Sequence, residues 1–203
     1  MKNLAENPAL ERDEWFRRVF ESINDAVLIH DPATGEILEV NQRACEMYGC
    51  QVDEMKRLSV ADLSANIPPY TQENALAWMR RAEEEGPQLF EWQARTMTGR
   101  VFWVEVNMRK VVIANDDLLV VTVRDISRRK EAENDLRRSE ERFRAVLGNS
   151  RDPVYCLNLP MLAYDYISPA VEELLGFTME DCIDGGVGFM SSRIHPEDLE
   201  RQR

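Results

Sequence analysis

The sequence contains little histidine and cysteine. It has two histidines and four cysteines among 203 residues. The cysteines show no CxxC pair and no metal-ligand spacing; they are Cys45, Cys50, Cys156 and Cys182. The chain also lacks a glycine-rich phosphate loop and any serine–histidine–aspartate or cysteine–histidine motif. We therefore expect no metal site and no catalytic residues, and free thiols in a reducing, cytoplasmic setting.

Long apolar runs and an excess of positive charge are also absent. The longest apolar runs are only a few residues, too short to cross a bilayer, and the first residues lack the apolar core of a signal peptide. The formal net charge is -12, which disfavours direct binding to nucleic acid or to an anionic membrane surface. A composition of 44% hydrophobic and 31% charged residues predicts a soluble globular protein.

Residues 88–127 show the clearest pattern in the chain. Apolar and polar residues alternate from Gln88 to Thr96 and again from Arg100 to Lys110, and an apolar run follows from Leu118 to Ser127. Turn residues separate the three segments at Thr98-Gly99 and at Asn115-Asp116-Asp117. The pattern predicts three antiparallel strands in sequence. One apolar sheet face then needs a cover of helices.

The preceding residues predict the elements that complete such a domain. Residues 1–9 are expected to be a disordered lead-in. The predicted elements are an amphipathic helix from Leu10 to Ile23, strands Ala26–His30 and Glu36–Val40, a helix Gln42–Tyr48 capped by Asn41, short helices Val52–Met55 and Val60–Leu63, and a helix capped by Thr71 that continues to Glu85.

The chain repeats itself after 127 residues, without a gap. Phe16-Arg17 aligns with Phe143-Arg144, Asp25 with Asp152, Gly49 with Gly176 and Ser64 with Ser191. Matches that keep one register over sixty positions indicate a tandem module. The second copy has no counterpart of residues 88–127. We therefore expect residues 148–203 to be a fragment of a domain, either loosely packed or completed by contacts with another chain or with the first module.

A charged segment without glycine or proline joins the two copies. Its apolar positions recur at heptad spacing, weakly at Ala132 and Ser139. A solvated connector helix and a coiled-coil pair are both compatible with this pattern. We predict a parallel homodimer whose seam comprises Phe16, Val19, Phe20, Ile23, Leu136 and Phe143.

Taken in order, these elements and motifs resemble the PAS sensory-domain family. The motifs are Asp31-x-x-x-Gly35-x-Ile37-x-x-x-Asn41, the Gly99 turn followed by Phe102-Trp-Val-Glu-Val106, Asp125-Ile126-Ser127, and His195-Pro-Glu-Asp198 in the second copy. The resemblance implies an α+β fold with a five-stranded antiparallel sheet in the order 2-1-5-4-3 and helices over one face. The expected organisation is a lead-in and helix at 1–24, a PAS domain at 25–127, a connector helix at 128–147 and the first half of a second PAS domain at 148–203.

A ligand site, if present, is expected between the sheet and the helices. The candidate lining residues are Leu28, His30, Phe90, Trp92, Val104, Val106, Val121 and Val123. His30 is the one polar side chain on the predicted inner face of its strand, where it could recognise a carboxylate or sense pH. The alternatives remain open: His30 can be a core histidine bonded to backbone, and the aromatic residues can simply fill the core.

The family resemblance makes two cofactors unlikely and leaves others unknown. Flavin-photosensing relatives carry a reactive cysteine in the stretch that corresponds to Lys56–Leu63, which has none. Haem-binding relatives usually offer a histidine from the long helix, and residues 71–85 contain none. We therefore expect neither photoactive flavin nor haem.

Two functions fit the sequence. The first is a sensory input module that binds a small ligand or contacts a partner, and transmits through Asp125, Ile126 and Ser127 into the connector helix. The resemblance implies an output domain, a histidine kinase or a diguanylate cyclase, elsewhere in the full-length protein. The alternative is a ligand-free module for dimerisation or protein interaction.

Overall fold

The computed structural model describes residues 8–113, 116–148 and 152–199. The chain divides into two compact units, Met1–Glu131 and Ala132–Arg203, which we describe separately. Most of the predicted lead-in lies outside the described residues. Pro8 and Ala9, which we expected in that lead-in, belong to the first helix.

The elements follow the predicted order. In the first unit they are α1 (Pro8–Ser22), β1 (Ala26–His30), β2 (Ile37–Val40), α2 (Gln42–Tyr48), α3 (Val52–Met55), α4 (Val60–Leu63), α5 (Gln72–Glu84), β3 (Gln88–Arg95), β4 (Val101–Ile113) and β5 (Asp116–Asp125). Helix α6 (Ser127–Gly148) follows, and then β6 (Tyr155–Asn158), β7 (Ala163–Ile167), α7 (Ala170–Leu175), α8 (Met179–Ser191) and α9 (Pro196–Leu199).

The first unit contains the predicted sheet. Its five strands are antiparallel and lie in the order β2-β1-β5-β4-β3. Strand β5 is central, because it pairs with β1 through Leu28 and Val121 and with β4 through Val106 and Val123. The last strand of the domain is thus held on both sides before it leads into α6.

The largest departures from the predicted strand boundaries lie where β4 ends and β5 begins. Strand β4 continues three residues past Lys110, to Ile113. Asp116 and Asp117, predicted in the turn, instead pair with Ile113 and Val112. Lys110 contacts the Asp117 carboxylate at 2.7 Å, so two acidic residues that look like turn formers are tolerated at a charged strand end. Asn115 lies outside the described residues.

Alternation along the strands places the core on one sheet face. The buried residues of the inner face include Leu28, Trp92, Val104, Val106 and Val121, while Glu105 and Thr122 point the other way. Helices α2 to α5 contribute the opposite wall of the same core through Ala44, Met55, Leu63, Ala75 and Met79. The arrangement is the predicted sheet with helices over one face.

Capping residues begin and end the helices, with one exception to the prediction. Asn41 accepts a hydrogen bond from the Ala44 backbone N–H at the start of α2, and Gly49 ends α2 with φ +78°, a conformation that favours glycine. Thr71 occupies the N-cap position of α5, but its side chain makes no capping hydrogen bond. The backbone carbonyl of Thr71 still accepts from Ala75 at 3.0 Å.

The second unit reproduces the first in detail at the repeat distance. Val27 and Asn41 are bonded through the Asn41 N–H to the Val27 carbonyl (3.1 Å) and through the Val27 N–H to Asn41 Oδ1 (2.9 Å). Val154 and Ser168 make the same two bonds, at 2.8 Å and 2.9 Å. Gly176 ends α7 with φ +74° as Gly49 ends α2. The tandem repeat seen in the sequence is therefore also present in the structure.

The second unit differs in what covers its helices. Its sheet has two strands, β6 and β7, within the described residues. The first strand begins at Tyr155, one residue later than predicted, and ends at Asn158. Leu159, Met161 and Leu174 are 72%, 76% and 64% exposed. No helix in the described ranges is both long and apolar enough to span a membrane.

Candidate ligand cavity and signal junction

A small cavity lies inside the first unit, between the inner sheet face and the helices. Its volume is about 60 Å³. All eight predicted residues line it: Leu28, His30, Phe90, Trp92, Val104, Val106, Val121 and Val123. Sequence reasoning missed seven further lining residues, which are Tyr48, Val60, Leu63, Ser64, Ala75, Met79 and Met108. All but Met108 come from helices or from the segment after α4, whose inward side chains strand alternation cannot identify.

Among the cavity-lining residues that come from strands, His30 is the ionisable one. The residue is 3% exposed, and its Nδ1 lies 3.0 Å from the Gly35 carbonyl oxygen. A carbonyl only accepts, so Nδ1 carries the proton and Nε2 of the neutral ring is an acceptor. Burial lowers the pKa of His30, against a smaller opposite effect of the Gly35 hydrogen bond.

The burial of His30 bears on carboxylate recognition, one use that the sequence suggested for it. A neutral ring with an unprotonated Nε2 offers a carboxylate no donor, and none of the lining residues is Lys or Arg. Recognition of a carboxylate is therefore disfavoured on desolvation grounds. The backbone-bonded histidine and the cavity-lining histidine, treated as alternatives in the sequence, are the same residue in the structure.

Aromatic rings form the wall next to strand β3. Trp78 of α5 stacks on Phe90 with centroids 4.2 Å apart, and Tyr70 meets Trp92 edge-on at 5.3 Å. The Trp92 indole N–H donates to Ser64 Oγ at 3.1 Å, and that hydroxyl donates to the Val60 carbonyl. The polar atoms of this wall are thus satisfied by the protein itself, which leaves an apolar surface for a ligand.

Asn41 links three elements beside the cavity and was recognised from sequence only as a helix cap. It is fully buried. Its Oδ1 accepts from the Val27 and Ala44 N–H groups, and its Nδ2 donates to the Phe20 and Asp25 carbonyls at 3.3 and 3.0 Å. One side chain therefore joins the end of α1, the start of β1 and the start of α2. The position of Asn41 between a buried strand and a helix was the available signal.

The predicted junction forms a compact corner between β5 and α6. Asp125 Oδ1 accepts from the Ser127 N–H at 2.8 Å, at the first residue of α6. The buried Ile126 donates its N–H to the Trp103 carbonyl at 3.0 Å. Ser127 begins α6 rather than ending the strand. The corner is thus attached to the neighbouring strand β4.

Charged residues surround this corner. Arg124 makes a bidentate pair with Asp25, at 3.0 and 2.7 Å. Lys130 of α6 contacts Glu91 at 2.6 Å and lies over the Trp103 ring at 5.4 Å. The hydrogen bond from Lys130 is the main cause of the lowered pKa of the Glu91 carboxyl. The first turn of α6 is therefore tied to strands β3 and β4.

The predicted dimer-seam residues divide into exposed and buried ones. Phe16, Val19 and Ile23 are 49%, 44% and 38% exposed, and Leu136 and Phe143 are 63% and 64% exposed. Phe20 is buried within its own unit and stacks on Phe16, so it cannot also form an external seam. We correct the seam prediction at that residue.

Acidic, histidine and cysteine side chains do not gather into a metal site in the described ranges. Burial raises the pKa of the Cys45 and Cys50 thiols, which disfavours the thiolate. The described geometry thus consists of a largely apolar cavity, one neutral histidine and a tethered exit helix.

A sheet of this order, with a cavity beneath it and a helix leaving its central strand, defines a domain of the α+β class. A PAS domain model matches residues 24–128, and a second PAS domain model matches residues 141–203. The chain belongs to the PAS domain family.

Relatives with assigned names are much longer than this chain. It is 24% identical over 186 residues to sporulation kinase E of Bacillus subtilis (strain 168), covering 89% of this chain and 24% of the kinase. It is 27% identical over 137 residues to the methyl sulfide methyltransferase-associated sensor of Methanosarcina acetivorans, covering 68% of this chain and 13% of that sensor.

A solved structure shares the fold. The PAS domain of an HTR-like protein from Haloarcula marismortui superposes with a TM-score of 0.53 at 22% identity, over 62% of this chain and all of that domain. At this identity the likeness concerns the fold alone.

Proposed function

We propose that the first unit is the input module of a cytoplasmic signalling protein, which binds a small molecule in the cavity and transmits binding through α6. The observation that supports this proposal is that strand β5 both lines the cavity and leads directly into α6. Val121 and Val123 line the cavity, and the same strand reaches Asp125 two residues later and enters α6 at Ser127. A ligand that shifts β5 therefore displaces the start of the helix.

Population shift is the physical basis for transmission. A ligand changes the balance between two conformations only if it binds them with different affinity. Packed cores switch between discrete arrangements rather than deforming smoothly. The contacts of Asp125, Trp103 and Lys130 around the corner allow a small movement of β5 to become a change in helix direction or rotation.

Names of the relatives support an output domain elsewhere in the full-length protein. One is a kinase and the other a sensor, and the chain spans 24% and 13% of their lengths. We propose a histidine kinase output, with a diguanylate cyclase as the second possibility. The proposal includes a homodimer and assigns no haem, photoactive flavin or nucleic acid.

A second candidate function is a ligand-free dimerisation module. Exposed apolar side chains on α1 favour it, since Trp15 is 64% exposed and Phe16 and Val19 are close to half exposed. Large exposed apolar patches commonly mark protein contacts. Under this alternative the cavity is a packing defect and nothing small enters it.

Filling the cavity separates the two candidates. Ala75 of α5 is buried and lines the cavity, whereas Ala82 of the same helix is buried but does not line it. We expect purified wild-type protein to take up a small organic probe added at millimolar concentration, seen as saturable NMR shifts of Val104 and Val121 in the cavity wall. Ala75→Val should abolish this, and Ala82→Val should not. Equal binding by both variants would place the molecule outside this cavity, and no binding by wild type would favour the ligand-free module.

A further inference from the structure

The chemistry of the cavity restricts which molecules it can hold. Apart from His30 and the Tyr48 hydroxyl, its walls are apolar or carry polar groups that have partners, such as Ser64 and the Trp92 indole. His30 uses Nδ1 on the Gly35 carbonyl. No described residue forms a hydrogen bond with its Nε2. The ring is 3% exposed and lines the cavity. No sealed side-chain nitrogen or oxygen in the described residues lacks a partner, so Nε2 borders accessible space, and the cavity is the space that the ring lines.

An unpaired acceptor in an apolar wall selects for a donor. Leaving a buried acceptor without a partner is costly, so a ligand that donates to Nε2 gains over one of the same shape that cannot. A carboxylate would face the Nε2 lone pair without a compensating cation, since the wall contains no Lys or Arg. An ammonium group would lose its hydration with no Asp or Glu in the wall. The wall therefore favours uncharged molecules.

The volume sets the size of the ligand. An apolar cavity of about 150 Å³ holds benzene, which has six non-hydrogen atoms. On that scale the space of about 60 Å³ accommodates at most about four non-hydrogen atoms. A ligand this small has a limited affinity, with a Kd on the order of 0.1–10 mM.

We propose that the cavity selects a small, uncharged, mainly apolar molecule of about four non-hydrogen atoms, whose single hydroxyl or N–H group donates a hydrogen bond to His30 Nε2. This ligand class rests on the proposed function of the cavity as a binding site. It replaces the carboxylate that the sequence suggested for His30 and makes His30 the residue that determines specificity.

Three probes of equal size test the proposal. 2-Propanol, acetone and acetate each have four non-hydrogen atoms, but only the alcohol donates a hydrogen bond at neutral pH. We would titrate each into the intact 203-residue chain and follow the Val104 and Val121 signals by NMR. 2-Propanol should bind about tenfold more tightly than acetone, and acetate should give no saturable shift. The long-range nitrogen–proton spectrum of His30 should show the Nδ1–H tautomer, with the Nε2 signal moving as 2-propanol binds.

Variants assign the selectivity to His30. His30→Leu should remove the preference of 2-propanol over acetone, and His195→Leu, the same change at an exposed histidine, should preserve it. Acetone or acetate binding as tightly as the alcohol, or a preference that persists in His30→Leu, would overturn the ligand class while the cavity remained a binding site. No saturable shift with any probe on wild-type protein would overturn both the ligand class and the proposed function. The wild-type comparison holds even if His30→Leu fails to fold.

Discussion

His30 is a titratable group held neutral by its surroundings. Its pKa lies below the ordinary value of 6.5, mainly because burial penalises the charged ring. Well above pH 6.5 the ring is neutral in both the folded and the unfolded chain, so it does not make stability depend on pH. Below that pH the unfolded chain binds a proton that the folded protein does not bind. The folded state then loses stability until the pH passes below the folded pKa.

Stability of the first unit should therefore fall with pH below 6.5, by up to about 1.4 kcal/mol per pH unit from this residue. All four tryptophans lie in the first unit, at 15, 78, 92 and 103, so denaturant unfolding followed by tryptophan fluorescence reports on it. His30→Leu should make the decline shallower, while His195→Leu should leave it unchanged. Parallel pH profiles for wild type and His30→Leu would contradict this role.

Asn41 should be the costliest polar side chain to truncate in the first unit. Asn41→Ala removes two accepted and two donated hydrogen bonds in a fully buried position. We expect the free energy of unfolding to fall by about 2–4 kcal/mol. Asn74→Ala, which removes one exposed bond to the Pro69 carbonyl, should cost at most about 1 kcal/mol. Equal losses in denaturant unfolding would show that the Asn41 network contributes little.

The sequence predicted individual residues where local periodicity determines their direction. Alternation with a period of two identified eight strand residues that line the cavity, and His30 is one of them. It did not identify Tyr48 or Val60, because their direction depends on how helices pack over the sheet. It also could not choose between the two uses of His30, since the Gly35 carbonyl that fixes the tautomer is placed by a turn conformation.

At the level of elements, the corner between β5 and α6 should matter more for signalling than for stability. Asp125 is exposed and makes one capping bond, to the Ser127 N–H. We expect Asp125→Ala to cost about 1 kcal/mol or less and to change kinase or cyclase output in the full-length protein. Asp135→Ala, an exposed aspartate within α6, should change neither. Normal signalling by Asp125→Ala, or a large drop in its Tm, would count against the idea.

Helix α6 is predicted to pair with its copy in a dimer. Leu136 is 63% exposed in the chain, and burying it at a heptad position would give the helix a partner. Wild-type protein should sediment as a dimer at tens of micromolar, and Leu136→Asp should shift it toward monomer. Asn134→Asp adds the same charge away from the seam and should leave the dimer intact. A wild-type monomer, unchanged by Leu136→Asp, would refute the seam.

Element boundaries were predictable where residues impose a backbone conformation. The short helices Val52–Met55 and Val60–Leu63 were predicted as they occur, because polar residues at their starts form capping boxes. The end of β4 was not, since Asp116 and Asp117 favour turns locally but here pair in the strand beside Lys110. Tertiary pairing outweighs local preference at that point.

On the scale of the whole molecule, the two units share a local design but differ in coverage. The repeat was visible in sequence because the matched positions, such as Gly49 and Gly176, set local backbone geometry in both units. In the described residues the first unit has five strands and the second has two. A two-stranded sheet is marginal in water without further packing.

Hydrogen exchange should therefore separate the two units. Amides from 154 to 195 should exchange much faster than those from 88 to 127 in dilute protein, because strands β6 and β7 have few neighbours and Leu159, Met161 and Leu174 remain exposed. Protection within β4 and β5 provides the internal reference. Equal protection of both units in a proven monomer would mean that the second unit is stable with two strands.

The central claim is that a ligand in the cavity changes the conformation at the start of α6. The most direct measurement is an NMR titration with 2-propanol that follows Val121 in the cavity wall and the Ile126 and Ser127 amides at the corner. The account predicts saturable shifts at all three residues that fit one dissociation constant. Shifts confined to Val121, with Ile126 and Ser127 unchanged at saturation, would contradict it.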